Sequence, residues 1–220
     1  MAINSLSTGF RPGVCTSSTR PTAPYEGQVI YETDTDLSYV WGGAAWQQVS
    51  GGTAVGNSGL VYITSGSFSG TTAIDGIFTS TYDNYRIVGN KIGATSGGLS
   101  NFNFRNTSNA TDSSNLYYTV GRRYDSGTNY DFSQGALTYA TTAINVGTVA
   151  NTNFIMDIFN PRLANLTVVS LAGMGTITAI SSVQSSSYFA DTTQFAGIVF
   201  GQSAGSLNAG TYTVFGYRKA

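Results

Sequence analysis

The sequence predicts an all-β protein, in which a small N-terminal β-meander with an extended arm precedes a jelly-roll-like β-sandwich. Lys and Glu, which form surface helices well, occur only twice each in the 220 residues. Thr, Tyr, Phe and Val, which suit a pleated and half-buried surface, are plentiful. Apolar runs also recur about every ten to twenty residues, with turn residues between them. Composition and spacing therefore favour strands and turns along the whole chain.

The residue inventory argues against several classes of function. The net charge of −1 provides no excess of positive charge that would attract nucleic acid or an anionic membrane surface. The sequence has no His, which removes Ser-His-Asp catalysis and the commonest zinc ligand. Cys15 is the single cysteine, and it suggests a small packed residue or a bystander more than a nucleophile. We expect no enzyme activity, no metal or other cofactor, no nucleic-acid partner, no secretory signal and no membrane insertion.

Residues 1–24 differ in composition from the rest of the chain. They hold three of the four prolines, which restrict the backbone to extended or turn-like conformations. Their apolar content is too small for independent folding. Two interpretations remain open at this point: a floppy terminus, or an extended arm that orders along a neighbouring subunit.

Residues 25–50 predict a three-stranded meander, with strands at 28–32, 37–41 and 45–49. Two-residue alternation places Tyr39 and Trp41 on one face, and the glycines at 42–43 predict a hairpin. Trp41 and Trp46 are expected to form a miniature core or to anchor the unit to a neighbour, rather than to stack on a ligand. Asp34 and Asp36 fit a turn that caps its own backbone, the alternative being a calcium site.

The remaining chain divides into a linker and one domain. Residues 51–59 contain four glycines, which predict a flexible joint. Residues 60–220 predict a single β-sandwich domain, whose size suits a jelly roll better than an immunoglobulin fold. Its predicted strands lie at 60–64, 72–78, 85–88, 100–105, 116–120, 137–143, 154–159, 166–172, 177–183, 195–200 and 211–217.

The richest polar and aromatic stretch of the chain lies between residues 116 and 132. Tyr rings beside Arg and Asp side chains suit a sugar-binding surface, but Tyr and Arg are also enriched at subunit interfaces, which we favour. A carboxylate pair for glycoside hydrolysis, Asp125 with Asp131, is a remote alternative. The candidate glycan or subunit contacts are Arg122, Arg123, Tyr124, Asp125 and Tyr130.

The N-terminal region carries a long and distinctive motif. Residues 19–36 have the sequence TRPTAPYEGQVIYETDTD, followed by Tyr39-Val40-Trp41 and by Trp46. This pattern resembles a module of tailed-bacteriophage virion proteins, found near the N-terminus of tail fibre, spike and head-decoration chains. Residues 78–88, FTSTYDNYRIV, and 210–217, GTYTVFGY, resemble opening and closing strands of β-sandwich domains in the same class of proteins.

The resemblance implies a non-enzymatic structural protein of the virion, assembled in the host cytoplasm as a homotrimer. Tyr39, Trp41 and Trp46 would help to anchor it to other capsid or tail proteins, and the β-sandwich would project outward. Capsid decoration or a head fibre and a small tail spike or fibre both fit. The alternatives are a tail fibre adhesin that binds a host surface glycan, a free carbohydrate-binding module and, more remotely, a polysaccharide depolymerase.

Overall fold

The structure is a computed structural model that describes residues 12–50, 59–177 and 180–219, apart from the side chain of Ser50. These residues form strands and turns, which confirms the predicted all-β class. The chain divides into two compact units, Met1–Ser58 and Gly59–Ala220. Of the predicted linker, only Gly59 lies within the described residues. The two units are therefore described one at a time.

The first unit is a four-stranded sheet in the order β1-β2-β3-β4. The last three strands form the predicted antiparallel meander, and its hairpin closes through a bond from the Gly42 amide to the Ala45 carbonyl. The remaining strand, at residues 13–15, was not predicted, because it lies within the segment interpreted as an arm. The strands are β1 (Gly13–Cys15), β2 (Val29–Glu32), β3 (Leu37–Trp41) and β4 (Trp46–Ser50).

The described part of the predicted arm is held by its own chain. Strand β1 runs parallel to β2, and the Thr33 amide donates to the Cys15 carbonyl at 3.0 Å. Beyond the strand, the Asp34 carboxylate accepts hydrogen bonds from the backbone amide and the hydroxyl of Ser17. Three paired residues are too few to show a hydrophobic period, so the sequence pattern could not reveal this strand.

The second unit is a sandwich of two sheets. The larger sheet has eight strands in the order β10-β9-β14-β13-β12-β7-β16-β5, and the smaller has four in the order β11-β8-β15-β6. Every described pairing in this unit is antiparallel. The strands are β5 (Leu60–Ser67), β6 (Thr72–Ile74), β7 (Asn84–Ala94), β8 (Gly98–Arg105), β9 (Tyr117–Asp125), β10 (Thr128–Leu137), β11 (Ala140–Val146), β12 (Thr152–Phe159), β13 (Thr167–Thr176), β14 (Ile180–Phe189), β15 (Gly197–Gln202) and β16 (Leu207–Tyr217).

One continuous hydrophobic core lies between the two sheets and contains side chains from both. Ile87 and Met156 enter it from the larger sheet, and Phe104 and Ile198 enter it from the smaller one; all four are almost wholly buried. Phe104 also stacks on Phe195, with ring centroids 4.6 Å apart. Each such side chain contributes about 1.5–3 kcal/mol by leaving water, so this core supplies the main driving force for folding of the unit.

Strand β10 is the element of the sandwich that the sequence pattern missed. It pairs with β9 at one edge of the larger sheet, and most of its residues are exposed. An edge strand with solvent on both faces carries no alternation of apolar and polar residues. The predicted strand 137–143 consequently began too early, because Leu137 ends β10 and β11 starts only at Ala140.

Candidate functional site

The outer face of the larger sheet, which points away from the smaller sheet, carries the most distinctive surface of the second unit. Residues of β12, β13 and β14 alternate between buried and exposed positions, so every second side chain reaches this face. Strand pairing aligns these side chains in rows across the sheet. The rows that contain Tyr118, Val120 and Arg122, together with Tyr124, form two adjoining hollows.

The first hollow, which we call the trough, is a shallow depression of about 630 Å³. Small and polar side chains form its floor, and the larger side chains of Arg122 and Tyr124 stand beside them. Its volume lies within the range of small-ligand sites, about 300–1,000 Å³. The trough is lined by Ser170, Ala172, Gln184 and Ser186 on β13 and β14, and by Val120, Arg122, Tyr124 and Asp131 on β9 and β10.

A bidentate ion pair forms one wall of the trough. Arg122 and Asp131 face each other across β9 and β10, with Nε–Oδ1 and Nη2–Oδ2 distances of 2.5 and 2.9 Å. The hydrogen bonds from Arg122 hold the pKa of Asp131 below its usual range, and those to Asp131 raise the pKa of Arg122. Both side chains are largely exposed. Solvent screens such a pair, so its clearest effect is to fix the orientation of two charged groups beside the trough.

The five predicted contact residues do not form one patch. Arg122 and Tyr124 line the trough, whereas Arg123, Asp125 and Tyr130 lie on the opposite face of the same two strands. Alternation along β9 causes this division, because successive side chains of a strand point to opposite faces. The sequence interpretation grouped these residues by their proximity along the chain and did not apply that alternation.

On the opposite face, Arg123 contacts both of the other two residues. Arg123 Nε lies 2.8 Å from Asp125 Oδ2, so the two side chains form an ion pair. The N–H bond of Arg123 Nε is not aligned with the carboxylate, and it makes no hydrogen bond to any residue that the structure describes. The Arg123 guanidinium also lies 5.0 Å from the centre of the Tyr130 ring. Asp125 is thus separated by the sheet from Asp131, and each carboxylate has its own arginine. The two do not converge as a pair on one face.

The second hollow, of about 330 Å³, lies beside an apolar row that the sequence interpretation did not identify. Tyr118, Tyr188, Val168 and Phe159 are aligned in register across β9, β14, β13 and β12. The rings of Tyr118 and Tyr188 stack with centroids 5.0 Å apart and planes 7° from parallel. We define the apolar row as these four residues with their neighbours Val120 and Leu166, which also line the hollow.

The predicted anchoring residues of the first unit lie on adjacent strands. Trp41 and Trp46 are directly paired, half-buried and packed edge to face with centroids 5.5 Å apart. Tyr39 lies under the Arg20 guanidinium, 4.4 Å from its ring centre, and Arg20 in turn is paired with the buried carboxylate of Glu32. The hydrogen bond from Arg20 lowers the pKa of Glu32, so the charged form is favoured in the folded protein.

The two aspartates of the turn after β2 bind other parts of the same unit. Asp34 accepts from Ser17, and these bonds lower its pKa. Asp36 accepts from the Tyr31 hydroxyl at 2.7 Å and has a φ of 55°, which belongs to the left-handed region of a tight turn. Nearby, burial is the largest cause that raises the pKa of the Cys15 thiol, which favours its less reactive protonated form.

Within residues 12–50, 59–177 and 180–219, no group of three or more His, Cys, Asp or Glu side chains is placed to hold a metal ion. The same ranges contain no helix long and apolar enough to cross a membrane. Comparison with protein-family models, with curated protein sequences and with solved structures finds no match to this chain.

Proposed function

We propose that this chain is a non-enzymatic structural protein of a tailed-bacteriophage virion. It acts as a homotrimer that is anchored to the particle by its N-terminal region and projects its β-sandwich outward. The carrying observation is the motif at residues 19–46, which resembles a module of such virion proteins. In the structure, the motif residues from Val29 onward form β2, β3 and the start of β4 in one small sheet.

The contacts of the charged groups support a structural role. Arg86 on β7 donates to Asp157 on β12 through Nε and Nη2, both at 2.7 Å, and the Tyr217 hydroxyl of β16 donates to the same carboxylate. Arg105 similarly pairs with Asp75 beside the smaller sheet. These groups join neighbouring segments of the sandwich, which suits a protein that acts through shape and durability.

Quantitative mass spectrometry of virions purified from the phage that encodes the chain tests this proposal. We expect the protein in washed particles, at a copy number divisible by three. Hundreds of copies would identify a capsid decoration protein and exclude a tail fibre, whereas on the order of a dozen copies would exclude a general capsid cement. Absence of the protein from intact particles would refute the proposal.

A second candidate function is adhesion to a host surface glycan, and the trough is the observation that favours it. Tyr124 offers a ring on which a sugar can stack, and Arg122 and Asp131 offer an oriented set of donors and acceptors. Gln184 and Ser186 add neutral polar groups to the floor. A protein of this kind binds weakly through one site, and a homotrimer would multiply that affinity by avidity.

Binding of the full chain to purified host surface polysaccharide tests the adhesin function. We expect Tyr124→Ala to weaken binding at least tenfold, while Tyr62→Ala, at an exposed position on β5, leaves it unchanged. Equal binding by both variants would refute the trough as the glycan site. A wild-type protein that binds as a monomer and is absent from virions would instead indicate a free carbohydrate-binding module.

A further inference from the structure

The apolar row exposes a continuous hydrophobic surface across one end of four neighbouring strands. Val120, Leu166 and Tyr188 are 55, 49 and 42% exposed, and Phe159 and Val168 are each more than a third exposed. Scattered exposed apolar side chains are normal, but these are contiguous across four strands. Contiguous apolar patches of this kind mark surfaces that another molecule covers.

The charges on this face point to a particular kind of partner. The four outward rows that contain Tyr118, Val120, Arg122 and Tyr124 carry two ion pairs, Arg122 with Asp131 and Arg86 with Asp157, which are neutralised within the chain. An electrically balanced face does not favour a strongly charged partner. It does allow a second copy of the same face to approach without repulsion between like charges.

The dimensions of the face also suit association between copies. Eight strands about 4.8 Å apart, with four outward rows about 7 Å apart, give a face of roughly 1,000 Å². A standard stable interface buries about 800 Å² on each partner. Shared between the two neighbours in a trimer, the face gives each contact about 500 Å² per copy, or about 1,000 Å² in total, which meets the lower bound for a biological interface. The apolar row, along one end of the strands, supplies the dry part of the contact, and the polar trough lies in the rows beyond it.

We propose that copies of this chain associate through the outer face of the eight-stranded sheet, with the apolar row as the dry part of the contact. The inference rests on the proposed function, because it names the surface that the homotrimer uses. Three copies turn this face toward a common threefold axis, so that each apolar row packs against those of its two neighbours. Tyrosine suits such a contact because its ring buries apolar area while its hydroxyl reaches the wet rim.

Sedimentation velocity of the full chain over a range of concentrations tests the inference. The key variant is Val120→Asp, which places an unpaired charge in the apolar row. Its matched control is Val149→Asp, because Val149 is even more exposed but lies in the connection between β11 and β12. A third variant, with Val120→Thr and Val168→Thr, keeps side-chain shape and strand propensity and serves if the aspartate variant fails to fold.

We expect the wild-type protein and Val149→Asp to be trimers, and Val120→Asp to dissociate at concentrations at least about 30-fold higher than wild type, as for loss of an interface hot spot. The double Thr variant should shift dissociation at least about tenfold. Variants that keep the wild-type far-ultraviolet circular dichroism and remain trimers as stable as wild type would overturn the inference and leave the proposed function intact. Dissociation of Val149→Asp would also overturn it. A wild-type protein that is monomeric throughout would refute the homotrimer itself.

Discussion

The buried hydroxyl of Tyr117 allows a sharp test of how the sandwich is stabilised. Tyr117 is almost wholly buried between Phe104 and Phe189, at ring-centroid distances of 6.1 and 5.0 Å. Its hydroxyl accepts a hydrogen bond from the Phe104 amide at 2.9 Å and donates one to the Asp112 carbonyl at 3.2 Å. The phenol thus joins the end of β8 to the loop that leads into β9.

Tyr117→Phe keeps the ring and its packing but removes both hydrogen bonds. It leaves the Phe104 amide without its hydroxyl acceptor in the core, at a cost of about 1–3 kcal/mol in the free energy of unfolding. For a unit of this size, each kcal/mol lowers the melting temperature by roughly 2–4 °C. Urea unfolding followed by circular dichroism measures the free energy, and differential scanning calorimetry measures the melting temperature.

Tyr139→Phe is the matched control, because Tyr139 lies in the connection between β10 and β11 and its side chain is exposed. That substitution should change the free energy of unfolding by less than about 0.5 kcal/mol. If Tyr117→Phe were as stable as wild type while Tyr139→Phe was equally neutral, the buried hydroxyl would contribute no net stability. The hydrogen-bonding argument would then be wrong.

Three further predictions concern packing and pH. Gly121→Ala should lower the free energy of unfolding by about 1–3 kcal/mol in urea titrations, because the new methyl would lie 2.6 Å from the Phe132 ring and from a backbone carbonyl of β14. Hydrogen bonds from Arg86 lower the pKa of Asp157, so the charged carboxylate stabilises the folded protein fully above about pH 5. This contribution to the free energy of unfolding is lost as the pH falls through and below about 4, and Asp157→Asn should make that loss smaller. Burial raises the pKa of Tyr217 to about 12, so the unfolded chain loses this proton at a lower pH than the folded protein does. The free energy of unfolding should therefore fall between about pH 10 and 12, and Tyr217→Phe should make that fall smaller.

Most strands of the sandwich could be predicted because they bury at least one face. Each of the eleven segments predicted within residues 60–220 overlaps an observed strand. In β8, for example, Phe102 and Phe104 are buried while the polar Asn103 and Arg105 are more exposed, and this alternation is visible in the sequence. Strand β10 was missed because both of its faces meet solvent along most of its length, and β1 because only three residues pair.

The candidate site was only partly predictable. The tyrosines and arginines of β9 were identified by their chemistry, but the division of Arg122 from Arg123 depends on which face of the strand is buried. The floor of the trough was beyond prediction, since Ser170, Ala172 and Ser186 are ordinary residues for a strand. They become a surface feature only when β13 and β14 lie side by side in the observed register.

The amino-acid sequence by itself determined the all-β class and the places where most strands form, because backbone propensity and the two-residue period act within a few residues of the chain. Only the tertiary structure decided the order of strands in the sheets and the face to which each side chain points. The apolar row illustrates the difference: Tyr118, Phe159, Val168 and Tyr188 are separated by up to 70 positions along the sequence. They become neighbours through long-range strand pairing, which no local pattern of residues specifies.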